Sequence, residues 1–230
     1  MALVKGTKTS TIVLSCAPTG TIAHSHDVGA NGLLVVLIAW GNNVNLTGVT
    51  YGGVAMTRMI DYYSGTGTYV TPFYLAAPAT GSNNVVVTMS TTAAVGFLAQ
   101  SYTGAVSSIT NVAWTSGEAT SPTSQNITVS ANSMLIAWSQ STFSFDSAAA
   151  ITIDGVATGF GSCDLNGTVY TSQVCVHANN TNLSAGSKTV ITDTQADIWI
   201  CSNGILEIKE VTVASVIPQI MTNLYRIRAA

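Results

Sequence analysis

An all-β fold, an antiparallel sandwich of the jelly-roll kind, is what this 230-residue chain predicts. Three observations carry the prediction. Apolar residues follow the two-residue strand period almost throughout. Before the C-terminus no helical i, i+3, i+4 stripe persists for three turns. Turn dipeptides punctuate the chain at short, even spacing, as in sandwiches and jelly rolls rather than parallel sheets.

Taken in order, the alternation over residues 10–17 and 21–26 predicts two half-buried strands. Residues 33–40 form a continuous apolar run after Asn31-Gly32, which predicts a central strand covered on both faces. Strands over 44–51 and 54–62 flank Gly52-Gly53, whose glycines take the positive φ of a tight two-residue turn. Tyr51 and Met56 are the apolar neighbours expected across it. Strands over 69–76 and 84–90 bracket the turn at 78–81, and 95–102 closes the series. Residues 106–124, rich in Ser, Thr, Gly and Ala, read as a long crossing between halves of the sandwich. Strands over 125–129, 134–140, 149–153, 169–177, 187–193 and 198–208 follow, with turns at Asp154-Gly155, Asn166-Gly167 and Ala185-Gly186. Segment 141–168 is irregular apart from its first strand.

Ala30-Asn31-Gly32 leading into the run ending at Trp40 has an echo in Ala131-Asn132-Ser133 leading into Met134-Leu135-Ile136-Ala137-Trp138. The flanking sequence reads as unrepeated, so the two are expected to be equivalent inner strands of one double sheet. One sandwich domain over residues 1–210 is expected, followed by a C-terminal extension over 211–230. In that extension Ile217, Ile220, Met221, Leu224, Tyr225 and Ile227 form an apolar run beyond the end of the domain, and an arm packed on a neighbouring subunit is the reading adopted.

Charge excludes several functions. Only 7% of the residues are Asp, Glu, Lys or Arg, against roughly 25% in an ordinary soluble domain. Such a surface suits a subunit covered by neighbours, or a hydroxyl-rich secreted sheet. Net charge of -3, with seven scattered basic residues, leaves no stripe to neutralise phosphates, so no nucleic-acid partner is expected. Mean hydropathy is +0.40, yet no apolar run approaches the roughly 20 residues that span a bilayer. No membrane partner is expected. The opening residues lack a secretory h-region, so export by the general pathway is not expected.

At Val49-Thr50-Tyr51-Gly52-Gly53-Val54-Ala55-Met56-Thr57-Arg58 the chain resembles the "VTYGGxxMT" hairpin of jelly-roll domains found in phage structural modules and some bacterial surface proteins. Pro78-Ala79-Thr80-Gly81, the strand over 84–90 and Gln100-Ser101-Tyr102-Thr103-Gly104 continue the pattern, and the strands over 133–138 and 198–208 fit its second half. The resemblance implies the fold and a virion origin. It carries over no catalytic residue.

The chemistry sought gives little. His24-Ser25-His26-Asp27 places both imidazoles on one side of a strand, but a metal needs a third ligand from elsewhere. A polar strand end hydrogen-bonded to a loop or neighbouring subunit is the plainer reading, and no metal or other cofactor is expected. The acids do not pair as a glycosidase requires. There is no GxSxG elbow, phosphate loop, HExxH or Cys-His pairing, and no enzyme is expected. Cys16, Cys163, Cys175 and Cys201 lack zinc spacing and read as buried thiols; Cys163 and Cys175 flank an apparent hairpin, which leaves a disulfide open. For glycan contact Trp114, in the presumed crossing loop, and Tyr62 and Tyr63 are the candidates, whereas Trp40 and Trp138 belong to inner strands.

The expected function is that of a phage virion protein, assembled in the host cytoplasm, which decorates and cements the capsid as a homo-oligomer, a trimer, on the major capsid protein or another virion protein. A tail-associated adhesin that recognises a surface glycan is the first alternative. A secreted bacterial lectin-like module is the second.

Overall fold

The computed structural model describes residues 2–16, 18–26, 32–41, 44–59, 61–63, 68–105, 107–120, 123–141, 150–157, 159–164, 174–193 and 199–211. Every element among them is a strand. The first half of the chain holds β1 (Val4–Cys16), β2 (Thr19–His26), β3 (Leu33–Gly41), β4 (Leu46–Tyr51), β5 (Val54–Ala55), β6 (Thr57–Arg58), β7 (Tyr62–Tyr63), β8 (Thr68–Ala76), β9 (Gly81–Met89) and β10 (Ala93–Thr103). The second half holds β11 (Val112–Thr120), β12 (Thr123–Val129), β13 (Ser133–Ser141), β14 (Ala150–Ile153), β15 (Val156–Ala157), β16 (Gly159–Asp164), β17 (Val174–Leu183), β18 (Gly186–Asp193) and β19 (Trp199–Ile208).

These strands build four antiparallel sheets rather than the two of a single sandwich. The first half forms the sheets β1-β10-β3-β8-β6 and β2-β9-β4-β5, with β7 also on β8. The second half forms β11-β19-β13-β17-β16 and β12-β18-β14-β15. Apart from β7, which has no counterpart, the two orders correspond strand for strand. Each half is a jelly roll in which alternate strands pass to the opposite sheet.

Three cores lie between the four layers. Val36, Ile38, Trp40, Tyr51, Phe73, Val85, Val87 and Phe97 fill the first sandwich. Ile127, Val129, Leu135, Ile151, Ile153, Val190 and Ile205 fill the second. Between them Leu33, Val35, Leu37, Leu98 and Tyr102 meet Met134, Ile136, Trp138, Leu206 and Ile208. Strand β3 therefore has a core on each face and is buried from Leu33 to Trp40. That is why its sequence is a continuous apolar run rather than an alternation.

The repeat extends to the turns. Gly52 and Gly53 both have positive φ, as do Asp154 and Gly155. Gly52 donates its N–H to Asn84 O at 3.0 Å, and Asp154 donates to Thr189 O at 2.9 Å. Tyr51 pairs with Val54, and Ile153 with Val156. Thr50-Tyr51-Gly52-Gly53-Val54-Ala55 thus corresponds to Thr152-Ile153-Asp154-Gly155-Val156-Ala157, and the strand from Gly81 to that from Gly186. The flanks of the two echoing strands repeat after all. Strands β3 and β13 are the equivalent central strands of two sheets in two sandwiches.

The structure corrects the sequence reading elsewhere too. Residues 112–120 are edge strand β11, paired with β19 from Val112↔Leu206 to Thr120↔Trp199, and not a crossing loop. Segment 141–168 contributes β15 and β16 as well as β14. The register partner of Tyr51 is Val54 rather than Met56, whose N–H bonds Val49 O and whose side chain joins Tyr51 in the first core where the chain leaves one sheet for the other. Cys163 and Cys175 are register partners of β16 and β17. The extension beyond Val211, with Ile217, Ile220, Met221, Leu224, Tyr225 and Ile227, lies outside the described residues.

Candidate functional site

The second, and quite different, uses of equivalent positions show where each half departs from its template. In the last strand of each half, the residue opposite Leu34 is Ser101 and the residue opposite Leu135 is Glu207. Both are buried polar groups aimed into their own sandwich, and each has recruited its partners differently.

Around Ser101 the partners are histidines. His24 and His26 occupy inward positions of β2 and are almost fully buried. His24 Nε2 lies 2.9 Å and His26 Nδ1 2.8 Å from Ser101 Oγ, while His24 Nδ1 lies 3.0 Å from Thr9 Oγ1. Tyr51 donates its hydroxyl to His24 O at 3.2 Å and to Gly81 O at 3.0 Å. One hydroxyl can donate to one imidazole and accept from the other, so Ser101 serves both rings at once. In the second half the positions of His24 and His26, read through their partners Asn83 and Gly81, fall to Ile127 and Val129. The sequence reading of a polar strand end is therefore corrected: the two imidazoles are interior groups. Among the described residues no three His, Cys, Asp or Glu side chains converge to hold a metal. Asp27 lies outside those residues.

A prediction follows from that exchange. Ser101→Ala leaves two buried ring nitrogens without their shared partner and is expected to cost about 1–3 kcal/mol. Adding His24→Ile and His26→Val, the residues of the other half, should recover most of that loss in urea denaturation. If the triple variant stays as unstable as Ser101→Ala, the equivalence of the two interiors is wrong.

Around Glu207 the partners are donors. Its carboxylate accepts from Ser133 Oγ at 2.5 Å, Asn111 Nδ2 at 2.6 Å and Ser130 N at 2.6 Å, with Lys209 Nζ at 3.8 Å. Burial pushes the carboxyl up, but the bonds from Ser133, Asn111 and Ser130, helped by Lys209, outweigh it and hold the pKa below the ordinary Glu value. The group ties β19 to the turn entering β13 and to the segment before β11. It is enclosed by the chain's own donors and has no face open to a substrate.

Among the described residues, an open groove lies on the first hairpin. Thr50, Ser82, Asn83, Asn84 and Val86 surround the bare backbone of Gly52 and Gly53, and together they line a shallow groove of about 460 Å³. None of these residues is ionisable. A Cβ on Gly52 would stand 3.2 Å from Asn83 Oδ1, so glycine keeps that carboxamide clear. In the second half the position of Gly52 is Asp154 and that of Asn83 is Lys188. Their side chains form an ion pair at 3.1 Å, and Lys188 also donates to Ser184 Oγ at 3.0 Å. The bond from Thr189 N–H and the Lys188 ammonium hold the Asp154 carboxyl below the ordinary Asp range.

The residues singled out for glycan contact are not brought together with this groove. Trp114 is on edge strand β11 and is 38% exposed. Tyr62 and Tyr63 form β7, paired with Val70 and Tyr69 of β8. Trp40 and Trp138 are core, as expected. Sequence reasoning missed Ser82, Asn83 and Asn84, which look like ordinary turn residues until β9 is seen beside the Gly52-Gly53 hairpin. Aligning the two halves would have found them, since Lys188 and Asp154 mark the place. The chain matches no family model, no curated protein and no solved structure.

Proposed function

We propose that the chain is a non-enzymatic structural protein of a phage virion, a capsid decoration or cement subunit that works through its sheet faces. The observation that carries this reading is the chemistry of the two outer sheets. On the first, Thr19, Thr21, Ala23, Ser25, Thr47, Ser82 and Asn84 are exposed. On the second, Ser124, Asn126, Thr128 and Ser187 are. Among the strand residues whose exposure is described, none exposed on either face is ionisable.

A face of hydroxyls and carboxamides can be covered by a partner at little desolvation cost, whereas each buried unpaired charge would cost several kcal/mol. Two such faces on opposite sides of one molecule allow it to bridge neighbours. The major capsid protein or another virion protein is the partner this reading names, with the chain itself assembled as a trimer. Weak contacts then add across a symmetric lattice.

Quantitative mass spectrometry of purified virions tests it. A copy number equal to that of the major capsid protein, or a simple lattice fraction of it, is expected. A few copies per particle would replace the head assignment with a tail-associated one, and absence from the particle would overturn the virion reading altogether. Deleting residues 212–230 tests the apolar arm: particle attachment should be lost, and unchanged attachment would remove the arm from the proposal.

A further inference from the structure

The comparison of the two halves points to a ligand. We propose that the groove on the Gly52-Gly53 hairpin is a binding site for a neutral saccharide, a site kept open in the first jelly roll and closed in the second by the Asp154–Lys188 ion pair.

The lining selects the ligand class. Among the described residues no cation lines the groove, so a phosphate or other anion would bring a charge that its lining does not neutralise. Val86 is the single aliphatic side chain, too little for an apolar ligand, whose affinity comes from buried apolar area. What remains is a set of neutral donors and acceptors. Asn84 and Ser82 on the exposed face of β9 and Thr50 on β4 offer a carboxamide and two hydroxyls, and Asn83, on the alternate side of β9, brings its carboxamide, which donates and accepts at once, to the Gly52 edge of the groove. Neighbouring hydroxyls of a sugar ring, each a donor and an acceptor, match such carboxamides. The exposed backbone of Gly52 and Gly53, with Val86, gives the C–H face of the ring a surface to lie on.

The geometry at Gly52 supports the same reading. Its φ is 55°, and that of Asp154 in the equivalent turn is 50°. The turn therefore admits Asp, one of the few side chains that adopt a positive φ, as the second half demonstrates. Gly52 meets that conformation without strain and also leaves space beside Asn83, since a Cβ there crowds the amide oxygen.

The test is a transplant. Labelled full-length protein is applied to an array of neutral hexose and N-acetylhexosamine oligosaccharides, printed beside sialylated and sulfated ones. Wild type is expected to bind at least one neutral glycan. Gly52→Asp with Asn83→Lys, which installs the ion pair of the second half, should abolish that binding while leaving the melting temperature unchanged. Asn83→Ala alone should weaken it at least several-fold, and this variant decides the matter if the double variant does not fold. Conversely, Asp154→Gly with Lys188→Asn should raise the stoichiometry from one saccharide per chain to two in calorimetry with the glycan found on the array. No neutral glycan bound, binding confined to the charged glycans, or binding retained by both groove variants would each overturn the proposal.

Discussion

Gly204→Ala is expected to be among the most damaging single substitutions in the described structure, although it adds only one methyl group. Trp138 and Gly204 are register partners on β13 and β19, and a Cβ at residue 204 would collide with the six-membered ring of the Trp138 indole. Gly204 is not among the glycines with positive φ, so it is required for space rather than for conformation. Trp138 is fully buried in the core between the two sandwiches and cannot move without displacing Met134, Ile136 and Leu206 around it. Close-packed interiors charge about 1–3 kcal/mol for overpacking, and more where the neighbour is rigid. We expect a loss of about 3 kcal/mol in urea denaturation. Replacing Trp138 by Phe shortens the side chain and should make the same methyl far cheaper, with a coupling energy of about 1–3 kcal/mol between the two sites. Equal cost in both backgrounds would mean that the indole is not what excludes a side chain at residue 204.

That contact also explains why half of this fold was legible in the sequence and half was not. The strand period, the paired turns and the two covered central strands are local or nearly local signals, and the structure has them. The duplication is not local. Its most visible echo, Ala-Asn-Gly and Ala-Asn-Ser each leading to a Trp, is partly misleading. Leu33 and Met134 are equivalent, both facing the central core, but the two tryptophans are not. Trp40 faces the first sandwich, where its indole donates to Thr71 at 2.9 Å and stacks on Tyr69 at 4.4 Å. Trp138 faces the partner sandwich. Aligning on Trp shifts the register and hides the match of the Gly52-Gly53 and Asp154-Gly155 hairpins. Residues 112–120 were missed for a related reason. The Gly, Ala and Glu of this segment are depleted in strands and mask the strand formers Val112, Trp114 and Thr115, and only pairing with the edge of β19 makes the whole a strand.

The candidate site was less legible still. Sequence chemistry drew attention to imidazoles and aromatic rings, the residue types that most often carry function. In the fold the imidazoles are consumed by an internal hydroxyl, and the described aromatic side chains are mostly core. The groove is made of residues that sequence rules assign to turns. Its meaning comes from a difference between two copies of one architecture, which no single segment contains.

Acid sensitivity is the other large effect expected, and among the described carboxylates Glu207 is its main source. Its folded pKa lies below its unfolded value, so its stabilising contribution is complete above the ordinary carboxylate range, about 4.3 for Glu. It is lost progressively as the pH falls through the depressed folded value, because the unfolded chain binds the proton first. Glu207→Gln replaces one acceptor oxygen by an NH₂ group facing Ser130 N–H and Ser133 Oγ or Asn111 Nδ2, whichever way the amide is turned. One buried donor then confronts another. A loss of about 3 kcal/mol at neutral pH is expected. The variant should also show a flatter fall of stability between neutral and acid pH than wild type, because the titrating group is gone. Asp154 is exposed to solvent and, although its pKa moves in the same direction, Asp154→Asn should leave that slope nearly unchanged. Urea melts at a series of pH values separate these outcomes. A slope that survives Glu207→Gln and vanishes with Asp154→Asn would place the acid sensitivity in the hairpin of the second jelly roll instead of at the junction of β19, β11 and β13.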